Sequence, residues 1–220
     1  MPRIALVHAL QHSLQPINEA MARLWPQARC MNLLDDSLSS DLARSGALDD
    51  AMTQRFCTLA DYAVAQGADA ILFTCSAFGL CIDAVKQRHL QRPVLKPNEA
   101  MVDEAVALAT RLGTRVGLVA SFAPTLSGMP LEFPAASPPL TALADGALQA
   151  LNAGDTATHD RLVVDAAAAL AGQGCGVIAL AQFSMARAAA AVATRSGLPV
   201  VTTVDSAVRR LQAELALKQR

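Results

Sequence analysis

The chain has 220 residues, of which 53% are hydrophobic and 17% are charged, and its formal net charge is -1. This composition excludes a largely disordered protein, and the scattered Lys and Arg side chains argue against nucleic acid as a partner. No apolar run approaches the roughly 20 residues of a membrane-spanning helix, and the start of the chain lacks a signal-peptide pattern, so we expect no membrane contact.

Short β-rich runs alternate with amphipathic helical stretches along the chain. The predicted strands are Arg3–Val7, Arg29–Leu33, Ala70–Phe73, Pro93–Leu95, Arg115–Ala120, Val177–Leu180 and Pro199–Thr203. The predicted helices are Leu14–Trp25, Ala47–Gln66, Gly79–Leu90, Asn98–Leu112, Thr156–Ala171, Met185–Ser196 and Ser206–Leu217. Five prolines make the segment Phe122–Pro139 irregular. The alternation predicts an α/β fold with mainly parallel strands.

The sequence also repeats itself. The segment from Gln66 to Phe78 recurs in outline from Gln173 to Met185: a helix ends at Gln-Gly, a buried strand follows, and a small polar segment leads into another helix. This pattern predicts a duplicated strand-loop-helix unit in which Cys75 and Gln182 hold equivalent places. Because parallel sheets bind ligands outside the carboxyl ends of their strands, two such lobes would form a cleft between these residues.

Cys75 is the strongest candidate for a reactive group. It lies where a predicted strand ends and a helix begins, so free backbone N–H groups and the helix dipole are expected to stabilise its thiolate. We interpret Cys30, Cys57, Cys81 and Cys175 as packing residues. Five cysteines without zinc-like spacing or a C-x-x-C pair are typical of a reducing compartment, so we expect a cytoplasmic protein.

Other polar residues follow predicted strands, and each has a structural alternative. Thr74, Ser76 and Ala77 surround the thiol with small side chains and amides that suit a carboxylate, although helix capping by Ser76 is equally compatible. His8 follows the first strand as a possible acid, base or carboxylate partner, and loop histidines are also common. The remaining candidates for substrate binding are Asn98, Ser121, Thr125 and Ser184. Capping is the alternative for Ser121 and Thr125, and Asn98 suits a helix N-cap. Ser184 lies near the second position but is a poor base unaided.

Three segments, Phe73–Gly79, Lys96–Ala100 and Val119–Thr125, resemble the aspartate/glutamate/hydantoin racemase superfamily, and the resemblance spans essentially the whole chain. It implies two pseudo-symmetric lobes, each a roughly four-stranded parallel sheet flanked by helices, with the active site in the cleft between them and no cofactor. We expect residues 1–96 with a C-terminal helix over 206–220 to form the first lobe, and 97–205 the second. The resemblance also suggests a homodimer or another homo-oligomer.

In the racemases of this superfamily, one cysteine from each lobe faces an acidic carbon, and one removes a proton while the other returns one. Cys75 matches the first position. At the second, where the family has Leu-Gly-Cys, this chain has Leu180-Ala181-Gln182, and an amide cannot exchange a proton near neutral pH. We therefore expect Gln182 to orient the substrate as a hydrogen-bond donor.

The resulting hypothesis is a cofactor-independent racemase or isomerase acting through Cys75 on a small carboxylate, such as an amino acid, a hydantoin or a dicarboxylate. A decarboxylating lyase of the arylmalonate type needs protonation from one side and is the first alternative. A non-catalytic protein that binds small acids is the second. We expect no metal site.

Overall fold

The structure is a computed structural model, and it describes residues 1–218. The chain divides into two compact units, one formed by Met1–Pro97 with the chain from Ala207 onward and the other by Asn98–Ser206. The lobes expected from the sequence divide one residue earlier at each crossing, and the last two residues of the expected first lobe, 219 and 220, lie outside the described residues. Each unit contains a four-stranded parallel sheet with helices, which confirms the predicted α/β class.

The sheet of the first unit has the strand order β2-β1-β3-β4. Its strands are β1 (Arg3–His8), β2 (Arg29–Leu34), β3 (Ala70–Phe73) and β4 (Val94–Leu95), and the helices between them are α1 (Leu14–Leu24), α2 (Ser37–Ser45), α3 (Asp50–Ala65) and α4 (Gly79–Arg88). All four residues of β3 are buried, as expected for a central strand covered on both faces. Phe56 packs against Phe73 and Phe78, with ring centroids 5.2 and 4.8 Å apart, and this cluster fixes α3 and α4 on one face of the sheet.

The sheet of the second unit has the order β6-β5-β7-β8. Its strands are β5 (Arg115–Ala120), β6 (Leu140–Leu143), β7 (Cys175–Leu180) and β8 (Val200–Thr202). The helices are α5 (Glu99–Leu112), α6 (Ala123–Gly128), α7 (Ala147–Asn152), α8 (Thr156–Gly172) and α9 (Ala189–Ser196), and α10 (Thr203–Lys218) begins in this unit and continues in the first. Two apolar clusters, one on each face of the sheet, form the core of the unit.

The two units repeat one topology down to single hydrogen bonds. After β3, the Thr74 N–H donates to the Val7 carbonyl at 3.0 Å; after β7, the Ala181 N–H donates to the Val119 carbonyl at 2.9 Å. The residues that follow, Cys75 and Gln182, therefore occupy equivalent positions, as the internal repeat predicts.

The helices before these strands also match. Asp49 caps α3 by accepting from the Met52 N–H, and Asp155 caps α8 by accepting from the Thr158 N–H. After each helix the chain turns at a glycine with a positive φ, Gly67 at 81° and Gly174 at 85°. Residues with a Cβ rarely adopt this conformation.

Some elements differ from the predictions. Helix α2 and the edge strand β6 are absent from the predicted set, because both are short and half-exposed. The helix predicted from Met185 begins as a 3-10 turn, Phe183–Ala188, before α9. The proline-rich segment contains α6 and a 3-10 turn at Met129–Glu132 in place of continuous irregular chain, because Pro124 and Pro130 lie in the first turns, where a missing N–H costs nothing. No helix within residues 1–218 is long and apolar enough to cross a membrane.

Candidate functional site

Cys75 lies at the carboxyl edge of the first sheet, two residues beyond β3. Its backbone is extended, with φ -127° and ψ 120°, and the chain then turns through a 3-10 helix, Ser76–Phe78, into α4. The side chain is half-buried and packs against the apolar core of its unit. The position is the one that the sequence predicts for it.

The environment of the Cys75 thiol favours its protonated form. Burial raises the pKa of the thiol, and the hydrogen bond from the Ala77 N–H lowers it by less, so the net direction is upward. The backbone donor at the helix end does stabilise the thiolate, as the sequence predicts, but the loss of hydration outweighs this one donor. At neutral pH the group is a thiol that can give a proton.

His8 lies at the same edge, at the end of β1, but it is completely buried. Its Nδ1 is 2.9 Å from Thr74 Oγ1 and its Nε2 is 2.9 Å from Asn32 Oδ1. Burial lowers the pKa of the imidazole, with a smaller upward effect from the bond to Asn32, so the ring is neutral. Neither ring nitrogen is left for a substrate in this arrangement, which differs from the direct contact that the sequence suggests.

Thr74 is also buried, whereas Ser76 is half-buried and Ala77 is exposed beside the thiol. The Ser76 side chain makes no capping bond: Cys75 occupies the cap position of this turn, which has no side-chain cap. The accessible polar groups next to the thiol are therefore the short Ser76 side chain and the backbone that follows it.

Two cations near this edge are paired with carboxylates. Lys96 follows β4 and donates to Asp83 at 2.8 Å, close to the first turn of α4. Arg55 bridges Asp35 at 2.6 Å and Asp41 at 2.5 Å. Burial raises the pKa of Asp35, but hydrogen bonds from Ser37 and Arg55 outweigh this effect and lower the pKa.

At the carboxyl edge of the second sheet, Gln182 occupies the place equivalent to Cys75. Its Oε1 accepts from the Ser121 N–H at 2.9 Å and lies 3.4 Å from the Ser121 hydroxyl, and its Nε2 donates to Thr125 Oγ1 at 2.8 Å. The structure thus brings together three residues that the sequence singled out separately. The amide ties the end of β7 to the loop after β5 and keeps one N–H for other partners.

The two remaining candidates have different environments. Ser184 is half-buried in the 3-10 turn after β7. Asn98 is 1% exposed and donates to Glu132 at 2.6 Å. Asn98 holds the predicted N-cap position of α5, but its side chain makes no capping bond, because the amide turns to this carboxylate instead.

The other four cysteines differ from Cys75 in burial or position. Cys57, Cys81 and Cys175 are buried, and Cys175 lies at the start of β7, at the end of the strand away from Gln182. Cys30 is exposed on the edge strand β2, so its interpretation as a packing residue is wrong. Among residues 1–218, no group of three or more His, Cys, Asp or Glu side chains is arranged to hold a metal ion.

Two polar residues near the candidate site are not predicted from the sequence, Asn32 on β2 and Asn18 on α1. Asn32 contacts His8 through its Oδ1 and exchanges hydrogen bonds with Asn18 at 3.1 and 3.3 Å. A polar residue among the apolar positions of Arg29–Leu34 was the available signal, but an exposed edge strand carries polar residues without any function.

The fold, the repeated topology and the thiol after β3 define an α/β protein of the racemase type. The profile of the Asp/Glu/hydantoin racemase family matches residues 11–211, so the chain belongs to this family.

Solved structures with the same fold include a glutamate racemase from Bacillus anthracis, with 13% identity, a TM-score of 0.74 and coverage of 99% of this chain and 82% of that one. An allantoin racemase from Klebsiella pneumoniae has 20% identity and a TM-score of 0.71 over 99% and 89% of the two chains. Arylmalonate decarboxylase has 19% identity and a TM-score of 0.66 over 96% and 92%. A comparison with curated protein sequences gives no match.

Proposed function

We propose that this protein is a cofactor-independent isomerase of the racemase type that acts on a small carboxylate, with Cys75 as its acid–base group. The observation that carries the proposal is the place of Cys75: a half-buried thiol at the carboxyl end of a central strand, hydrogen-bonded by the Ala77 N–H, in a chain of the Asp/Glu/hydantoin racemase family. Such an edge is where parallel sheets bind ligands. The backbone at the start of the following turn suits a carboxylate group.

The chemistry asked of the thiol is proton transfer at the carbon next to the carboxylate. In the forward step the thiolate takes the proton, and the electron pair left on carbon delocalises into the carboxylate. In the return step the thiol gives a proton back to carbon and becomes a thiolate again. Because Gln182 cannot act as an acid or base, Cys75 is the proton-transferring group in both steps. Inversion then requires the planar carbanion to turn its opposite face to the thiol before the proton returns; without that turn, the step exchanges the proton for solvent deuterium but keeps the configuration.

Decarboxylation is the second candidate, and the raised pKa of Cys75 favours it. In that reaction the bond from carbon to one carboxylate breaks, carbon dioxide leaves, and the electron pair stays on carbon. The resting thiol then protonates that carbon, and the thiolate regains a proton from water. This sequence needs a thiol at the start, whereas racemisation needs a thiolate.

The test is a screen of amino acids, hydantoins, dicarboxylates and arylmalonates with the purified protein in heavy water. Chirality, double-bond geometry and carbon dioxide release are followed together. Racemisation or isomerisation with deuterium at the reacting carbon supports the leading proposal, and carbon dioxide release with one deuterium in the product replaces it by the second. Saturable binding without deuterium incorporation for any compound would overturn both and indicate a binding protein.

A further inference from the structure

A polarised chain of hydrogen bonds runs from helix α1 to the residue before Cys75. The Leu14 carbonyl accepts from Asn18 Nδ2 at 2.8 Å. Because a carbonyl only accepts, this bond fixes which end of the Asn18 amide is nitrogen, and Asn18 Oδ1 must then accept from Asn32 Nδ2 at 3.1 Å. The orientation of Asn32 follows from that of Asn18.

The same logic fixes the tautomer of His8. With Asn32 Nδ2 turned to Asn18, the Asn32 Oδ1 faces His8 Nε2, so the imidazole must carry its proton on Nε2 to donate. The neutral ring then has a bare Nδ1, which accepts from the Thr74 hydroxyl at 2.9 Å. The backbone carbonyl of Leu14 thus sets the direction of the Thr74 hydroxyl through three intervening side chains, those of Asn18, Asn32 and His8.

We propose that His8 is a positioning residue for Cys75, which it holds through the hydroxyl of Thr74 by means of its neutral, Nε2-protonated tautomer. Thr74 is bound on both sides, since its N–H donates to the Val7 carbonyl and its hydroxyl to His8. The next residue is Cys75, so the backbone that bears the thiol is held by these two bonds. The hydroxyl proton is therefore committed to the imidazole and does not serve a substrate carboxylate.

The chain has one alternative arrangement. Thr74 Oγ1 also lies 3.3 Å from the Val7 carbonyl, so a protonated His8 would donate from Nδ1 to Thr74, whose hydroxyl would turn to that carbonyl. Burial opposes this state. The groups hydrogen-bonded to the ring are the uncharged Asn32 and Thr74, and Asn18 behind Asn32 is also uncharged. Asp35 contacts His8 through the backbone, its N–H donating to the His8 carbonyl at 3.1 Å, and its carboxylate pairs with Arg55.

Two substitutions of His8 distinguish the roles of its two ring nitrogens. In His8→Asn the amide overlaps the Nδ1 position and can still pair with Thr74, whereas in His8→Gln it overlaps the Nε2 position and can pair only with Asn32. Thr74→Val removes the hydroxyl and keeps the shape of the side chain. We expect His8→Asn to keep the bond to Thr74 and the position of Cys75, and His8→Gln and Thr74→Val to lose both.

The readout that needs no substrate is the rate of Cys75 alkylation by iodoacetamide, followed by peptide mass spectrometry from pH 6 to 10. We expect the rate-against-pH profile of His8→Asn to stay within about twofold of the parent. His8→Gln and Thr74→Val should each shift it in the same direction, and the double variant should shift it no further than either single one. Exposed Cys30 in the same digest is the internal control, with an unchanged profile.

The second readout is turnover of whichever substrate the screen identifies, and only this arm rests on the proposed function. Since misplacing a reacting group by about 1 Å costs on the order of 100-fold, we expect kcat to fall about 10- to 100-fold in His8→Gln and Thr74→Val, with little change in KM. If alkylation shifts but no turnover exists for any variant, the proposed function fails and the positioning role stands.

Nitrogen NMR of the His8 ring tests the tautomer directly. We expect a protonated Nε2 and a bare Nδ1 at pH 7 in the parent protein. A bare Nε2, an unaltered Cys75 profile in Thr74→Val, or equal defects in His8→Asn and His8→Gln would each overturn the proposal. Thr74→Val keeps the test valid if a His8 variant does not fold.

Discussion

Replacing Gln182 by methionine removes an amide that the second unit uses internally, and its cost can be worked out from the contacts. The Ser121 N–H belongs to a residue that is 6% exposed, and it would lose its acceptor. A buried donor left unpaired costs about 1–3 kcal/mol, and the lost bond to the half-buried Thr125 adds about 1 kcal/mol. Methionine matches glutamine in length, so little packing is lost. The free energy of unfolding should fall by about 2–4 kcal/mol.

The measurement is equilibrium unfolding in urea, followed by circular dichroism, for the parent, Gln182→Met and Gln182→Glu. The carboxylate of Gln182→Glu still accepts from the Ser121 N–H and also from the Thr125 hydroxyl, so this control should lose less than half as much stability as Gln182→Met. If Gln182→Met were within about 0.5 kcal/mol of the parent, the amide would not be holding the loop after β5. Other contacts would then have to hold the loop after β5 against the end of β7.

Three further predictions concern other parts of the structure. Gly176→Ala should destabilise the protein by about 1–3 kcal/mol in the same urea assay, because its Cβ would lie 2.5 Å from both Oγ1 and Cγ2 of Thr114 and no rotation of that side chain relieves both contacts. The free energy of unfolding should decrease between pH 7.5 and 5.5, and His8→Asn should reduce this slope. The rate of Cys75 alkylation should keep rising above pH 9, beyond the range of an ordinary thiol.

The sign of the pH effect follows from proton binding. The pKa of His8 in the folded protein lies below its usual value, so below about pH 6.5 the unfolded chain binds a proton that the folded chain does not. Stability contributed by the neutral ring is therefore present above that pH and is lost as the pH falls. An equal slope in the parent and His8→Asn would show that His8 is not responsible. For alkylation, a plateau near pH 8 would contradict the raised pKa of Cys75.

The sequence predicts much of the fold because the central strands are continuous apolar runs bounded by polar or glycine residues. Ala70–Phe73 and Arg115–Ala120 are found with the predicted bounds. Strand β6, Leu140–Leu143, escapes because it lies at a sheet edge with alternate residues exposed, and its four residues follow a run of prolines. Short edge elements depend on their neighbours in space for stability, and local sequence does not contain those neighbours.

The candidate site is predicted in position but less well in detail. Residues that follow parallel strands must gather at one edge of the sheet, so the placement of Cys75, Thr74 and His8 together follows from topology. The charge state of Cys75 does not, because the loss of hydration depends on packing from residues distant in the chain. Nor does the burial of His8, whose ring is enclosed only once Asn32 on the neighbouring strand pairs with it.

The most direct test of a reactive Cys75 compares the parent protein with Cys75→Ala and Cys81→Ala on the substrate that the screen selects. Proton NMR in heavy water follows deuterium at the reacting carbon. Cys81 is a buried cysteine of the same unit that packs in α4, so its variant controls for the loss of a thiol near the site. We predict that deuterium incorporation falls by at least 100-fold in Cys75→Ala and stays within threefold of the parent in folded Cys81→Ala, in keeping with the 10²–10⁴-fold contribution typical of acid–base groups. Incorporation by Cys75→Ala at the parental rate would contradict the account.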